Sequence, residues 1–303
     1  MNLAFVLIVL KSLTLGAYAS PQSEYYDFDS INTLSGYELK SALKQILRQT
    51  HTARSYGSLN QIYLESDVDK TYENDGSIVD MYSENAKAPD QYNYSKRSHQ
   101  CGNYRKEGDC ANREHLFPQS IFRKQSPMRS DFFHVFPTDG YVNNRRGRLP
   151  FGEVDNPEWV SANGSKVGTN CSGPYRGKVF EPIDEFKGDI ARALLYFAIR
   201  YEDRVANWEH DMIDNTRDQV YSKWFLDILI KWHKADPVSA HELRRNEVGF
   251  TYQNNRNPLI DYPQWVDAIW IQGQKQQRKR QETRQGPKRK QQNRQRGRRS
   301  QRR

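Results

Sequence analysis

The sequence predicts an α+β fold rich in helix, with most of the helices in its C-terminal half. Two patterns lead to this. Apolar residues recur at helical spacing in several segments, most of them after residue 180. The first half instead joins short apolar runs to turn residues and long polar stretches, as strands and loops do. With 303 residues the chain can bury one large core.

Taken in order, residues 1–19 read as a secretory signal. An apolar run from Leu3 to Leu10 is followed by small residues and the A-x-A pattern Ala17-Tyr18-Ala19. No later segment approaches the roughly 18 apolar residues of a membrane span, so the chain is expected to be secreted or periplasmic. Leu39, Leu43, Ile46 and Leu47 predict a helix over 36–49. Val79 and Met81 share one face of a short strand over Ser77–Tyr82, and residues 83–111 read as a polar loop.

Residues 153–175, rich in Gly, Asn and Ser, read as a long surface loop. Apolar positions 183, 186, 190, 194, 197 and 201 predict an amphipathic helix, and Trp224, Phe225, Ile228, Leu229 and Trp232 a second one over 219–234. Ser239 and Glu242 form a capping-box pattern that opens a third, reaching about Phe250. The chain thus divides into the signal, a single domain over 20–272 and a tail over 273–303.

The tail carries 14 Lys or Arg against one acid, Glu282, and almost nothing apolar. Such a segment cannot bury enough surface to fold and is expected to be disordered. Its charge is +13, and the chain's is +9, so residues 1–272 carry −4. The basicity sits in an appendage suited to polyanions, which Lys and Arg bind by releasing counterions.

Three cysteines allow one internal disulfide. Cys101 and Cys110 close the shorter loop and are the candidates, and pairing of Cys171 with either stays open. A zinc site is not expected, because neither C-x-x-C nor a nearby histidine pair is present.

The chemistry concentrates in 112–152. Glu114 and His115 place a carboxylate beside an imidazole, a proton acceptor near neutral pH. Neighbours in a strand face opposite ways, so both line one pocket only where the strand ends or bulges; Pro118 makes an end plausible. After a turn at Pro137, Asp139 and Gly140 come Asn143, Asn144, Arg145 and Arg146. Amide oxygens suit Mg²⁺ or Ca²⁺, and Arg forks onto phosphate oxygens. An isolated Glu-His pair is more often an exposed charge beside a structural histidine, and Asn-Asn-Arg-Arg alone a solvated helix end. Their order along the chain is what raises the chemical reading.

Four blocks, NREHLFPQS, DFFHVFPTDGYVNNRRGRLPFGEV, VFEPIDEFKGDIARALLYFAIRY and QNNRNPLIDYPQWV, resemble the endonuclease I family of secreted and periplasmic nucleases. That family lies in the ββα-metal (His-Me finger) superfamily, and the resemblance covers about residues 35–272. It implies a ββα-metal motif embedded in the mixed, helix-rich domain, with strands near 112–118 and 131–137 and a helix near 139–147. It further implies His115 as general base, and Glu114 and Asn143 as ligands of one Mg²⁺, with Ca²⁺ or Mn²⁺ as alternatives. The reaction implied is phosphodiester hydrolysis in DNA, and often RNA, with little base specificity, leaving 5′-phosphate ends.

The arginine that stabilises the transition-state phosphate has no clear counterpart. Arg146 is preferred, because it shares a helix face with Asn143. Arg113, Arg145, Arg192 and Arg256 are the further candidates for substrate contact, although Arg256 reads better as a brace beside Pro258 and Asp261. His134 either orients His115 or is simply packed. The chain is expected to act as a monomer on nucleic acid. The rival reading is an inactive nucleic-acid-binding protein on the same fold; a degenerate copy would be expected to have lost Glu114, His115 or Asn143, and all three are present.

Overall fold

A computed structural model describes residues 24–95 and 102–283. The signal segment, Cys101 and the tail beyond 283 lie outside the described residues. The fold is a mixed α+β one in which two small antiparallel sheets sit against a helical body.

After a short helical turn at Phe28–Ile31 come helix α1 (Gly36–Thr50) and α2 (Leu59–Ser66). Leu39, Leu43 and Leu47 of α1 are buried, on the face that the i, i+4, i+8 spacing sets. Strand β1 (Ala111–His115) pairs antiparallel with β2 (Val135–Asp139), and α3 (Gly140–Arg146) follows at once. This is the expected strand–strand–helix order, and β1 ends at His115. Next come β3 (Pro157–Val160), β4 (Lys166–Thr169) and β5 (Lys178–Glu181), an antiparallel sheet in that order. Helices α4 (Lys187–Arg200), α5 (Lys223–Ala235) and α6 (Ala240–Gln253) complete the body.

Helix α4 is the axis of the core. Every residue from Gly188 to Arg200 is buried, because α1, α5 and the turn Phe132–His134 pack around it. The apolar stripe predicted an amphipathic helix; the neighbours enclose the other faces as well. The capping box of α6 forms as expected, with Ser239 Oγ accepting from Glu242 N at 3.1 Å and Glu242 Oε2 accepting from Ser239 N at 3.0 Å.

Three expectations change. Residues 153–175 are not a continuous loop: β3 and β4 lie within them, four residues each. Ser77–Tyr82 is not a strand, and Ile78 alone bridges to Val68 and Tyr94. The first part of the basic tail, 273–283, is helical, continuing the π-helical turn Asp267–Ile271 that packs on α1. Gln276 Nε2 there donates to Ser35 Oγ at 3.0 Å.

Candidate active site

Strand β1 ends, and its last two residues turn into one cleft of about 700 Å³, lined by Glu114, His115, Asn143 and the cations Arg113, Lys124 and Arg148. Asp139 makes the turn from β2 into α3. Its Oδ1 accepts from Val142 N at 2.8 Å, capping the helix, while its own N–H donates to Asp80 Oδ2 at 2.6 Å. Gly147 ends α3 with φ 55°, a left-handed value that costs glycine little. The helix is therefore two turns long and fixed at both ends, which sets where Asn143 projects.

His115 is 3 % exposed, and its Nε2 lies 2.9 Å from the carbonyl of Arg129. A carbonyl can only accept, so Nε2 carries the proton and Nδ1 of the neutral ring keeps its lone pair. Nδ1 is buried without a hydrogen-bond partner. Burial first, then the nearby His134 ring, pushes the imidazole pKa down to about 3, so the ring is neutral at working pH. Tyr56 stacks on it at 5.7 Å between centroids, and His134 meets it edge-on at 5.7 Å.

Because His115 takes up a proton more readily unfolded, near pKa 6.5, than folded, near 3, it subtracts stability as pH falls below about 6.5. The part due to this residue is about 2 kcal/mol between pH 7 and 5. Urea unfolding of the native chain and of His115→Ala at both pH values should show that difference in slope. Parallel pH dependences would mean the ring is not held neutral.

Glu114 is 2 % exposed, and both Tyr82 Oη and Arg146 Nη1 donate to its Oε1 at 2.9 Å. Burial pushes its carboxyl pKa up, and Arg146 and Tyr82 oppose that. Its Oε2 is tied by neither. Asn143 donates from Nδ2 to Asn112 Oδ1 at 2.7 Å, which commits the amide nitrogen and leaves the carbonyl oxygen as the side chain's ligating atom. One carboxylate oxygen and one amide oxygen in a single polar cleft are hard donors, a set that fits Mg²⁺ with several waters retained.

The arginines separate sharply. Arg146 is 1 % exposed and spends its guanidinium on Glu114 Oε1, the His115 carbonyl at 2.9 Å and the Leu116 carbonyl at 2.6 Å, over the Phe151 ring. It does not line the cleft, so the expectation that it meets phosphate is corrected: it holds the β1 end and its carboxylate. Arg192 is buried in a fork with both oxygens of Glu242, each at 2.6 Å. Arg256 is buried between Asp261 and Glu247. Neither lines the cleft, which corrects the assignment of Arg192 to substrate; Arg256 is the brace on Asp261 rather than a substrate contact. Arg145 is exposed but turned onto Tyr141, whose Oη it meets at 2.6 Å.

Arg113 does line the cleft, lying 3.8 Å over the Tyr56 ring and donating to the Tyr56 carbonyl at 2.9 Å. His134 is fully buried, with Nε2 donating to the Met128 carbonyl at 2.6 Å; it is a packed residue that props the His115 ring. Sequence reasoning passed over Tyr82, Asn112, Tyr56 and Arg148. Arg148 was visible as the last cation of the Arg145–Arg148 run, and Asn112 as a side chain on the same strand face as Glu114. For Tyr82, 32 residues from Glu114, there was no signal. Cys171 is exposed and free, and the proposed partner of Cys110 lies outside the described residues.

The chain matches Endonuclease I over residues 35–264. It belongs to the endonuclease I family. Among its relatives are the extracellular ribonuclease of Bacillus amyloliquefaciens, 36 % identical over 242 residues, covering 78 % of this chain and 75 % of the relative. The extracellular ribonuclease of Bacillus subtilis (strain 168) is 33 % identical over 267 residues, 85 % of this chain and 83 % of the relative. Endonuclease-1 of Buchnera aphidicola subsp. Acyrthosiphon pisum (strain APS) is 24 % identical over 138 residues, 46 % and 47 % of the two chains. As an endonuclease I family member the chain is a nuclease, an enzyme whose substrate is nucleic acid and whose family works with a metal ion. No helix among the described residues is long and apolar enough to cross a membrane.

Proposed function

We propose that this family member is a secreted, Mg²⁺-dependent endonuclease that hydrolyses DNA and RNA with little base preference, acts as a monomer and leaves 5′-phosphate ends. The observation that carries the reading is the His115 ring. Its Nε2 is spent on the Arg129 carbonyl, its Nδ1 is buried without a partner, and the residue lines the same cleft as Glu114 and Asn143. Secretion is supported by the N-terminal apolar run and by the two relatives named extracellular.

In this reading His115 Nδ1 takes the proton of the attacking water. Glu114 and Asn143 would hold the divalent ion, which when bound supplies charge stabilisation at the phosphate oxygens. Tyr82 and Arg146 keep Glu114 in place, and Asn112 keeps the Asn143 amide turned one way. Arg113, Lys124 and Arg148 meet the phosphate backbone from the cleft walls, contacts that carry no base information. Arg113 is the candidate left for the charge that builds on the phosphate, its plane steadied by Tyr56. Water is the nucleophile, so the sugar 2′-hydroxyl has no part in the step and both nucleic acids qualify. A Cys101–Cys110 disulfide at the start of β1 is supported by the free state of Cys171.

Digestion of plasmid DNA and of RNA in MgCl₂ and in EDTA tests the reading. Both substrates should be cut in MgCl₂ and neither in EDTA; undiminished cutting in EDTA would mean that no metal takes part.

A further inference from the structure

Outside the cleft, the segment between α2 and β1 gathers three carboxylates. One oxygen each of Glu73, Glu84 and Asp90 lies within 4.8 Å of the other two. Glu73 is exposed and Asp90 half-buried, but Glu84 is 1 % exposed, and its Oε1 is buried without a hydrogen-bond partner. A buried carboxylate oxygen left unpaired is costly, and two more carboxylates beside it add repulsion. Such an arrangement is relieved by a bound cation or by protonation of the carboxyls.

We propose that Glu73, Glu84 and Asp90 form a second divalent-cation site, separate from Glu114 and Asn143, that takes Ca²⁺. Oxygens on one Ca²⁺ at about 2.4 Å stand no more than about 4.8 Å apart, which these three satisfy. Ca²⁺ also accepts irregular shells completed by water and carbonyls, whereas Mg²⁺ demands a near-ideal octahedron. A site with one buried ligand, one half-buried and one exposed gives the ion a way in from solvent. The same segment supplies Tyr82, which holds Glu114, and Asp80, which accepts the Asp139 N–H at the turn into α3. Binding Ca²⁺ here ties down the stretch that supports the catalytic carboxylate from behind.

The test is calorimetric titration of CaCl₂ into the chelator-treated full chain, with thermal unfolding alongside. The native chain should bind one more Ca²⁺ than Glu84→Gln/Asp90→Asn, and a hundredfold excess of CaCl₂ over the Kd of this site should raise its Tm by about 5 °C more than that of the variant. Glu73→Gln, changed at the exposed ligand and so safe for folding, should weaken that Ca²⁺ affinity about tenfold. Equal stoichiometry in the double variant, or an unchanged Kd in Glu73→Gln, would each overturn the proposal. None of these readouts depends on nuclease activity.

Discussion

Replacing His115 by Ala should lower the rate of DNA cleavage about 10³-fold, while the chain still folds and still binds DNA. The expectation follows from the ring's surroundings. The Arg129 carbonyl fixes the tautomer, Tyr56 and His134 fix the plane, and burial keeps the ring neutral, so the lone pair on Nδ1 is available at every working pH. Among the described residues, nothing else lining the cleft offers a neutral nitrogen base. Cleavage rates under saturating Mg²⁺, with circular dichroism and a DNA-binding measurement as controls, make the check. A variant that cuts within a few-fold of the native rate would show that the proton goes elsewhere.

The second large effect is expected at Arg146. Arg146→Met removes the guanidinium that lies over Phe151 and leaves Glu114, 2 % exposed, with the Tyr82 hydroxyl as its remaining side-chain partner. Breaking a buried pair by removing one partner typically costs roughly 3–5 kcal/mol. It also frees the carbonyls of His115 and Leu116 that end β1. Because the change acts on a proposed ligand through its support, the Mg²⁺ concentration for half-maximal activity should rise about 10–100-fold. Urea unfolding and a Mg²⁺ titration of activity separate the two effects. A Glu114→Gln/Arg146→Met chain should recover much of the lost stability, since no charge is then stranded. Full stability in Arg146→Met alone would contradict the bracing role.

Arg146 also shows where the sequence stops being informative. Its spacing from Asn143 placed the two on one helix face, and a three-residue step can do no more than that. How deep each residue sits depends on Phe151 and on the β1 carbonyls, which only the fold brings near. Arg192 fails for the same reason: Glu242 stands 50 residues from it, so the carboxylate that absorbs its charge is invisible locally. For Arg256 the brace was legible, because Asp261 stands only five residues on. Local rules did well where the determinants were local. The capping box at Ser239, the start of α1 at Gly36 and the strand end required at Glu114-His115 each follow from a few adjacent residues.

The sheet of β3, β4 and β5 was missed because each strand has only four residues, set among Gly, Asn and Ser that signal turns. Their pairing, not their composition, makes them strands. The helical residues 273–283 were missed in the opposite way. Composition alone predicted disorder, but the turn at Asp267–Ile271 packs on α1 and starts a helix that the polar chain then continues.

In the proposed mechanism water, activated at His115 Nδ1, attacks the phosphorus. The most direct measurement is the chemistry of the ends produced from RNA. RNA should be left with 5′-phosphate and 3′-hydroxyl ends, the same as DNA. Ends bearing 2′,3′-cyclic phosphate would contradict it, because they require the 2′-hydroxyl as nucleophile.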